Sequence, residues 1–135
     1  MGAWGVLAFE NDDACDWAEE LEEVDDFSLV ESALDAVEAA DDYLEAPDAC
    51  AALAACEVLA RAIGGGGIKN ADTKTVDAWV KKHKLKPTAS LMKRAKRAIT
   101  RILAEESELR ELWDESDSAQ EWRDAVKDLR TRLGP

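Results

Sequence analysis

The run Glu10-Asn11-Asp12-Asp13, followed by Asp16, is the first place in the chain where side-chain types and spacing suggest chemistry. Hard divalent cations bind oxygen ligands, so Glu10, Asp12, Asp13 and Asp16 form a candidate Ca²⁺ or Mg²⁺ site. A calcium loop of the EF-hand kind also needs alternating ligands, a central Gly and a closing Glu, and these are missing here. The same residues serve as the start of a helix. Asn11 or Asp12 can cap it, and the following carboxylates sit at the positive end of the helix dipole. Capping accounts for every residue in the run without an ion. Metal binding, or an enzyme built on it, is therefore the alternative reading, and no cofactor is expected.

Other reactive types have less support. Gly64–Gly67 with Ile68 and Lys69 invites comparison with a phosphate loop, which needs a preceding strand and then Gly-Lys-Ser/Thr. Here an apolar helical stretch precedes the glycines and Asn70 follows Lys69, which favours a linker. The single histidine, His83, lies between Lys82 and Lys84 with no nucleophile or carboxylate indicated beside it, and one histidine argues against zinc catalysis. Cys50 and Cys56 are six apart, which is no ligand spacing on a helix, and read as small buried residues. Together with Cys15 they make an odd count, pointing to reduced thiols and a cytoplasmic setting. Neither a signal peptide nor a membrane span is expected, and Val6 stands where a myristoylation motif needs Ser or Thr.

The elements that position these residues can be read from periodicity. Residues 1–9 read as an extended lead-in tucked onto the core through Trp4, Leu7 and Phe9. A first helix follows Asn11, with Ala14, Trp17, Ala18, Leu21 and Val24 on one face. Ser28-x-x-Glu31 predicts a capping box for a second helix whose stripe runs from Val30 to Leu44. Residues 47–63 are apolar on nearly every side, with Pro47 at the first turn and Gly64 at the stop. Cys50, Ala54, Glu57 and Arg61 share its one polar edge. Such a helix is buried, so the expected fold is all-α: a compact bundle of six or seven helices around this central one. Further helices are predicted near 75–84, over 88–104, after Ser107, and after a second capping box, Ser118-x-x-Glu121. Of the five tryptophans, Trp4, Trp17, Trp79, Trp113 and Trp122, most are expected in the core at helical spacing, with one or two as interface anchors. Gly64–Gly67 is expected to divide a single domain into an acidic lobe, 1–63, and a basic-then-acidic lobe, 68–135.

The charge pattern explains that division. The first sixty residues hold eighteen carboxylates and no Lys, Arg or His. Residues 61–103 hold twelve Lys and Arg against Asp72 and Asp77, and the remainder is acidic again, with ten acids and five bases. Six i,i+4 acid pairs, Asp12/Asp16, Asp16/Glu20, Glu19/Glu23, Glu31/Asp35, Glu38/Asp42 and Asp41/Glu45, each cost roughly 0.2–0.5 kcal/mol in a helix. The amphipathic basic helix 88–104, carrying Lys93, Arg94, Lys96, Arg97 and Arg101, is therefore expected to dock against the acidic helices. The net charge of −13 opposes membrane surfaces and nucleic acid.

Two motifs bear a family likeness. Trp4-Gly5, then Phe9-x-Asn11-Asp12-x-Ala14-x-Asp16-Trp17, resembles the opening of an uncharacterised bacterial group, the domain-of-unknown-function family numbered 4259. Ser107-Glu108-Leu109-x-Glu111-Leu112-Trp113-x-Glu115, then Trp122 and Leu129-x-x-Arg132-Leu133, is similar to its ending. Leu7 stands where that family's pattern has Gly. The resemblance implies a mostly helical, intracellular bacterial protein and carries over no catalytic residue. The functional expectation is a non-catalytic acidic module of the immunity or inhibitor type. It would bind a basic protein partner through Glu19, Glu20, Glu23, Asp41 and Asp42. Nucleic-acid binding by helix 88–104 is a further alternative.

Overall fold

The computed structural model describes residues 3–134. Among them are seven α-helices: α1 (Asp12–Leu21), α2 (Ser28–Ala39), α3 (Ala46–Ala62), α4 (Lys74–His83), α5 (Ala89–Leu103), α6 (Glu108–Asp114) and α7 (Ala119–Arg132). A 3-10 turn, Ala71–Thr73, leads into α4. No strand forms among the described residues beyond two isolated bridges, Ala3 with Asn11 and Leu44 with Ser107. The all-α expectation is met.

α3 is the axis of the bundle. It packs against α1, α2, α4, α5, α6 and α7, and residues 52–60 are all buried. Its alanines let the surrounding helices approach closely, and one continuous apolar core runs from Phe9 to Leu133. Trp17, Trp79, Trp113 and Trp122 are buried in that core. Rings of Trp113 and Trp122 stack with centroids 6.2 Å apart. Trp79 Nε1 donates to Val24 O at 2.8 Å, which ties α4 to the turn after α1.

Helix starts divide into two kinds. Asn11 accepts from the Ala14 N–H at 2.8 Å and Thr88 from the Leu91 N–H at 3.1 Å, both as side-chain caps. The two capping boxes do not form: neither α2 nor α7 has a side-chain cap. The cap position of α2 is Phe27, not Ser28. Phe27 and Ser118 have ψ of 14° and 15°, whereas Asn11 and Thr88 are extended. A capping oxygen reaches the first-turn N–H groups only from an extended backbone.

Leu44 lies outside α2, in the connection to α3. Its N–H donates to Glu106 O at 2.9 Å and its carbonyl accepts from Glu108 N–H at 2.9 Å, so this connection is stitched to the start of α6. Because α1 ends at Leu21 and α2 at Ala39, only Asp12/Asp16, Asp16/Glu20 and Glu31/Asp35 of the six expected acid pairs lie within helices. The intrahelical repulsion is about half what six pairs would impose.

The leading loop is folded back, not extended. Trp4 N–H donates to Glu10 O at 2.9 Å and Glu10 N–H to Leu7 O at 3.0 Å. The tight turn therefore forms with Leu at position 7, and Leu7 needs no positive φ. Phe9 is buried, but Trp4 is 53% exposed, contrary to the expected tucking, with Nε1 donating to Asp72 at 3.2 Å.

Candidate functional site

The polar edge of α3 does not face solvent. Cys50, Leu53, Glu57 and Arg61 line a cavity of about 80 Å³ that opens between the leading loop, α3, the 3-10 turn and α7. Phe9, Trp113, Trp122 and Leu129 form its apolar wall. Both stretches that carry the family likeness thus meet at one place: Gly5, Phe9 and Asn11 from the opening, Trp113, Trp122 and Arg132 from the ending.

A buried charge network closes one end. Arg132 grips Glu57 with both terminal nitrogens, at 2.6 and 2.9 Å, and its Nε donates to Asp128 at 2.9 Å. Hydrogen bonding to Glu57, ahead of every other influence, raises the Arg132 guanidinium above its ordinary pKa and keeps it charged. Arg61 donates to Asp77 at 2.7 Å and to Ile68 O at 2.9 Å, but its Nε is buried without a hydrogen-bond partner, 3.9 Å from Glu57. Asp77 also accepts from the Thr73 hydroxyl at 2.8 Å.

The glycine run belongs to this network. A Cβ on Gly65 would lie 2.3 Å from Arg132 O, and one on Gly67 would lie 2.8 Å from the Arg132 guanidinium carbon. Gly65 O also accepts from Arg132 at 3.3 Å. The segment joining α3 to the 3-10 turn is packed against the end of α7 at Gly65 and Gly67, whereas Gly64 answers to a φ of 84°.

The sequence-predicted residues fall elsewhere. Asp12, Asp13 and Asp16 lie exposed on α1, and the Glu10 carboxylate accepts from the Leu7 N–H at 3.0 Å and lies against Gly5. Among the described residues, no group of three or more His, Cys, Asp or Glu side chains is arranged to hold a metal ion. Glu19 and Glu20 lie on α1 and Glu23 just after it, while Asp41 and Asp42 follow α2; all five are exposed. In the chain, Glu23 precedes α2 and Asp41 follows it, and α2 itself is roughly 18 Å long at 1.5 Å per residue.

α5 does dock on the acidic half. Arg94 bonds to Glu38 at 2.8 Å and pairs with Asp35, both on α2. Hydrogen bonding to Glu38 leads the causes that raise the Arg94 pKa. Arg101 instead caps its own helix end through the carbonyls of Glu105 and Glu106, leaving Lys93 and Arg97 as exposed cations on this helix. Burial pushes the Cys50 thiol up to about 12, with Asp13 adding to it, and raises Cys56 further, so neither is a ready nucleophile. His83 lies against Trp79, ring centroids 4.8 Å apart.

The cavity escaped the sequence reading because Glu57 and Arg132 are 75 positions apart. The one available signal was a carboxylate and a guanidinium, Glu57 and Arg61, on an otherwise apolar helix.

Among the described residues, no helix is long and apolar enough to cross a membrane. No curated protein and no solved structure matches the chain. A family model does match, over residues 2–125, taking in the opening motif together with Trp113 and Trp122. The chain belongs to the family described as Domain of unknown function (DUF4259).

Proposed function

We propose that the protein is a non-catalytic binding module whose acidic face, along α1 and the turn after it, engages a basic protein. One observation carries the reading. Asp12, Asp13, Asp16, Glu19, Glu20, Glu22, Glu23, Asp25 and Asp26 are all exposed, and among the described residues none of them is in an ion pair. Arg61, Arg94, Arg110, Arg123 and Arg132 pair with other carboxylates: Glu57, Asp77, Asp35, Glu38, Asp114 and Asp128. Uncompensated negative potential of this kind steers a basic partner into encounter and weakens with salt. The immunity or inhibitor type is the sharpest form, in which the face covers a basic surface on an enzyme. Asp41 and Asp42, at the far end of α2, are left out of this face.

The test is affinity capture from a lysate with the full chain and with the variant Asp16→Asn/Glu19→Gln/Glu20→Gln/Glu23→Gln. The expected result is a set of basic proteins retained at low salt and lost both in high salt and on the variant. Captured proteins with no basic bias, or equal capture by the variant, would sink the reading.

A further inference from the structure

Building on the acidic-face reading, we propose that the ring of Trp4 together with Asp72 is the seat for an arginine side chain of the basic partner.

Exposure singles out this ring. Trp4 is 53% exposed, whereas Trp17, Trp79, Trp113 and Trp122 are buried in the core. An indole left in water forgoes the burial that the other rings gain, and Trp is among the side chains most enriched where a partner is anchored.

The backbone fixes where the ring stands. The Trp4 N–H donates to Glu10 O at 2.9 Å, and Ala3 bridges to Asn11, the residue that caps α1. Gly5, having no Cβ, lets the Glu10 carboxylate lie against the loop. These contacts hold Trp4 beside the start of α1, and its Nε1 donates to Asp72 at 3.2 Å. A side chain positioned in advance gives up little freedom when a partner arrives.

Charge selects the occupant. An indole N–H lies in the plane of its ring, so the bond to Asp72 sets a carboxylate at the ring edge and leaves both faces clear of that bond. Asp72 is in no ion pair among the described residues. It shares the field of α1. After burial, Asp72, Asp12, Asp16 and Glu19 in that order raise the Cys15 thiol above its ordinary pKa, which places all four carboxylates within electrostatic reach of one side chain. An anion is repelled here. A cation over the ring face is attracted by the ring quadrupole and by Asp72 together. Arginine fits better than lysine, because a planar guanidinium stacks on the indole and still has N–H groups at its edge to donate to the carboxylate.

The experiment is an amide and indole N–H chemical-shift titration of the full-length protein at low salt. The probes are end-capped peptides: Gly-Arg-Gly-Arg-Gly, Gly-Lys-Gly-Lys-Gly and the neutral citrulline analogue of the first. The arginine peptide should bind saturably, shifting the Trp4 indole signal along with the α1 amides. It should bind about fivefold more tightly than the lysine peptide, with citrulline weakest. Trp4→Leu should abolish the preference for arginine while lysine binding persists, and Trp4→Phe, which keeps a ring face, should retain much of it. Asp72→Asn, which leaves the ring in place, should also weaken the arginine peptide. It serves as the check should Trp4→Leu fail to fold. Equal binding of the arginine and lysine peptides overturns this proposal and leaves the acidic face standing. So does an arginine preference that survives Trp4→Leu, or arginine binding unaltered by Asp72→Asn. Binding of neither charged peptide, or citrulline binding as tightly as arginine, overturns both readings.

Discussion

Glu57 is a carboxylate placed where water cannot solvate it, and it is tolerated because Arg132 supplies two hydrogen bonds and a charge. Removing one partner of such a pair leaves the other buried and uncompensated, typically a loss of about 3–5 kcal/mol. Arg132→Leu should therefore destabilise the protein by that order in urea denaturation. The double variant Glu57→Leu/Arg132→Leu should recover much of the loss, because neither charge then has to be desolvated. A double variant no better than the single one would show that Arg132 acts through packing alone. The buried thiols give a pH dependence. In the unfolded chain they lose protons near their ordinary value of 9.0, whereas in the folded protein Cys50 holds its proton up to about 12 and Cys56 beyond. Above pH 9 the unfolded state thus binds fewer protons than the native one, and stability falls as pH rises, with a limiting slope of about 1.4 kcal/mol per pH unit for each thiol. Under reducing conditions, denaturation between pH 8 and 10 should show this fall, and the variant Cys50→Ala/Cys56→Ala should flatten it.

At the scale of elements, the N-caps make a discriminating set. Asn11→Ala and Thr88→Ala each remove an observed side-chain cap and should cost about 1 kcal/mol. Ser118→Ala removes a hydroxyl that caps nothing and should stay within about 0.5 kcal/mol, as read from denaturation midpoints. Equal losses at all three positions would contradict the cap geometry. The same comparison separates what the sequence could disclose from what it could not. Periodicity placed the helices well: 88–104 was expected and Ala89–Leu103 is observed, and the nearly all-apolar stretch at 47–63 is the central helix. The Ser28 and Ser118 boxes had the right letters, but the backbone before those helices turns too early for a side chain to cap. Leu44 looked like the end of a helical stripe, but it is buried through a bridge to Ser107, a pairing between distant segments that no local pattern encodes. The charge banding pointed to the basic helix docking on the acidic helices; it lies on α2, where Arg94 pairs with Asp35 and Glu38. The glycine run looked like a free joint because composition reports conformational freedom and says nothing of the arginine packed against it.

Across the whole molecule, α3 is shared property. Its buried surface is covered by α1 and α2 together with α4 to α7. A fragment of residues 1–63 would leave open to water the surface of α3 that α4 to α7 cover, and Glu57 would lose Arg132. Such a fragment should show no cooperative unfolding transition, by circular dichroism or calorimetry, at low salt. A sharp two-state transition would mean that the acidic half is self-sufficient after all. The carboxylates of that half are met from α5 by Arg94, which pairs with Asp35 and Glu38.

The chamber beside Glu57 has walls drawn from segments far apart in sequence, Phe9 from the leading loop and Trp122 and Arg132 from α7. Contacts so distant in sequence bear the heaviest loop-closure entropy and cannot precede collapse of the intervening helices. During refolding, secondary structure should therefore appear well before this recess acquires its shape. A newly made chain remains without it until its last helix has been synthesised.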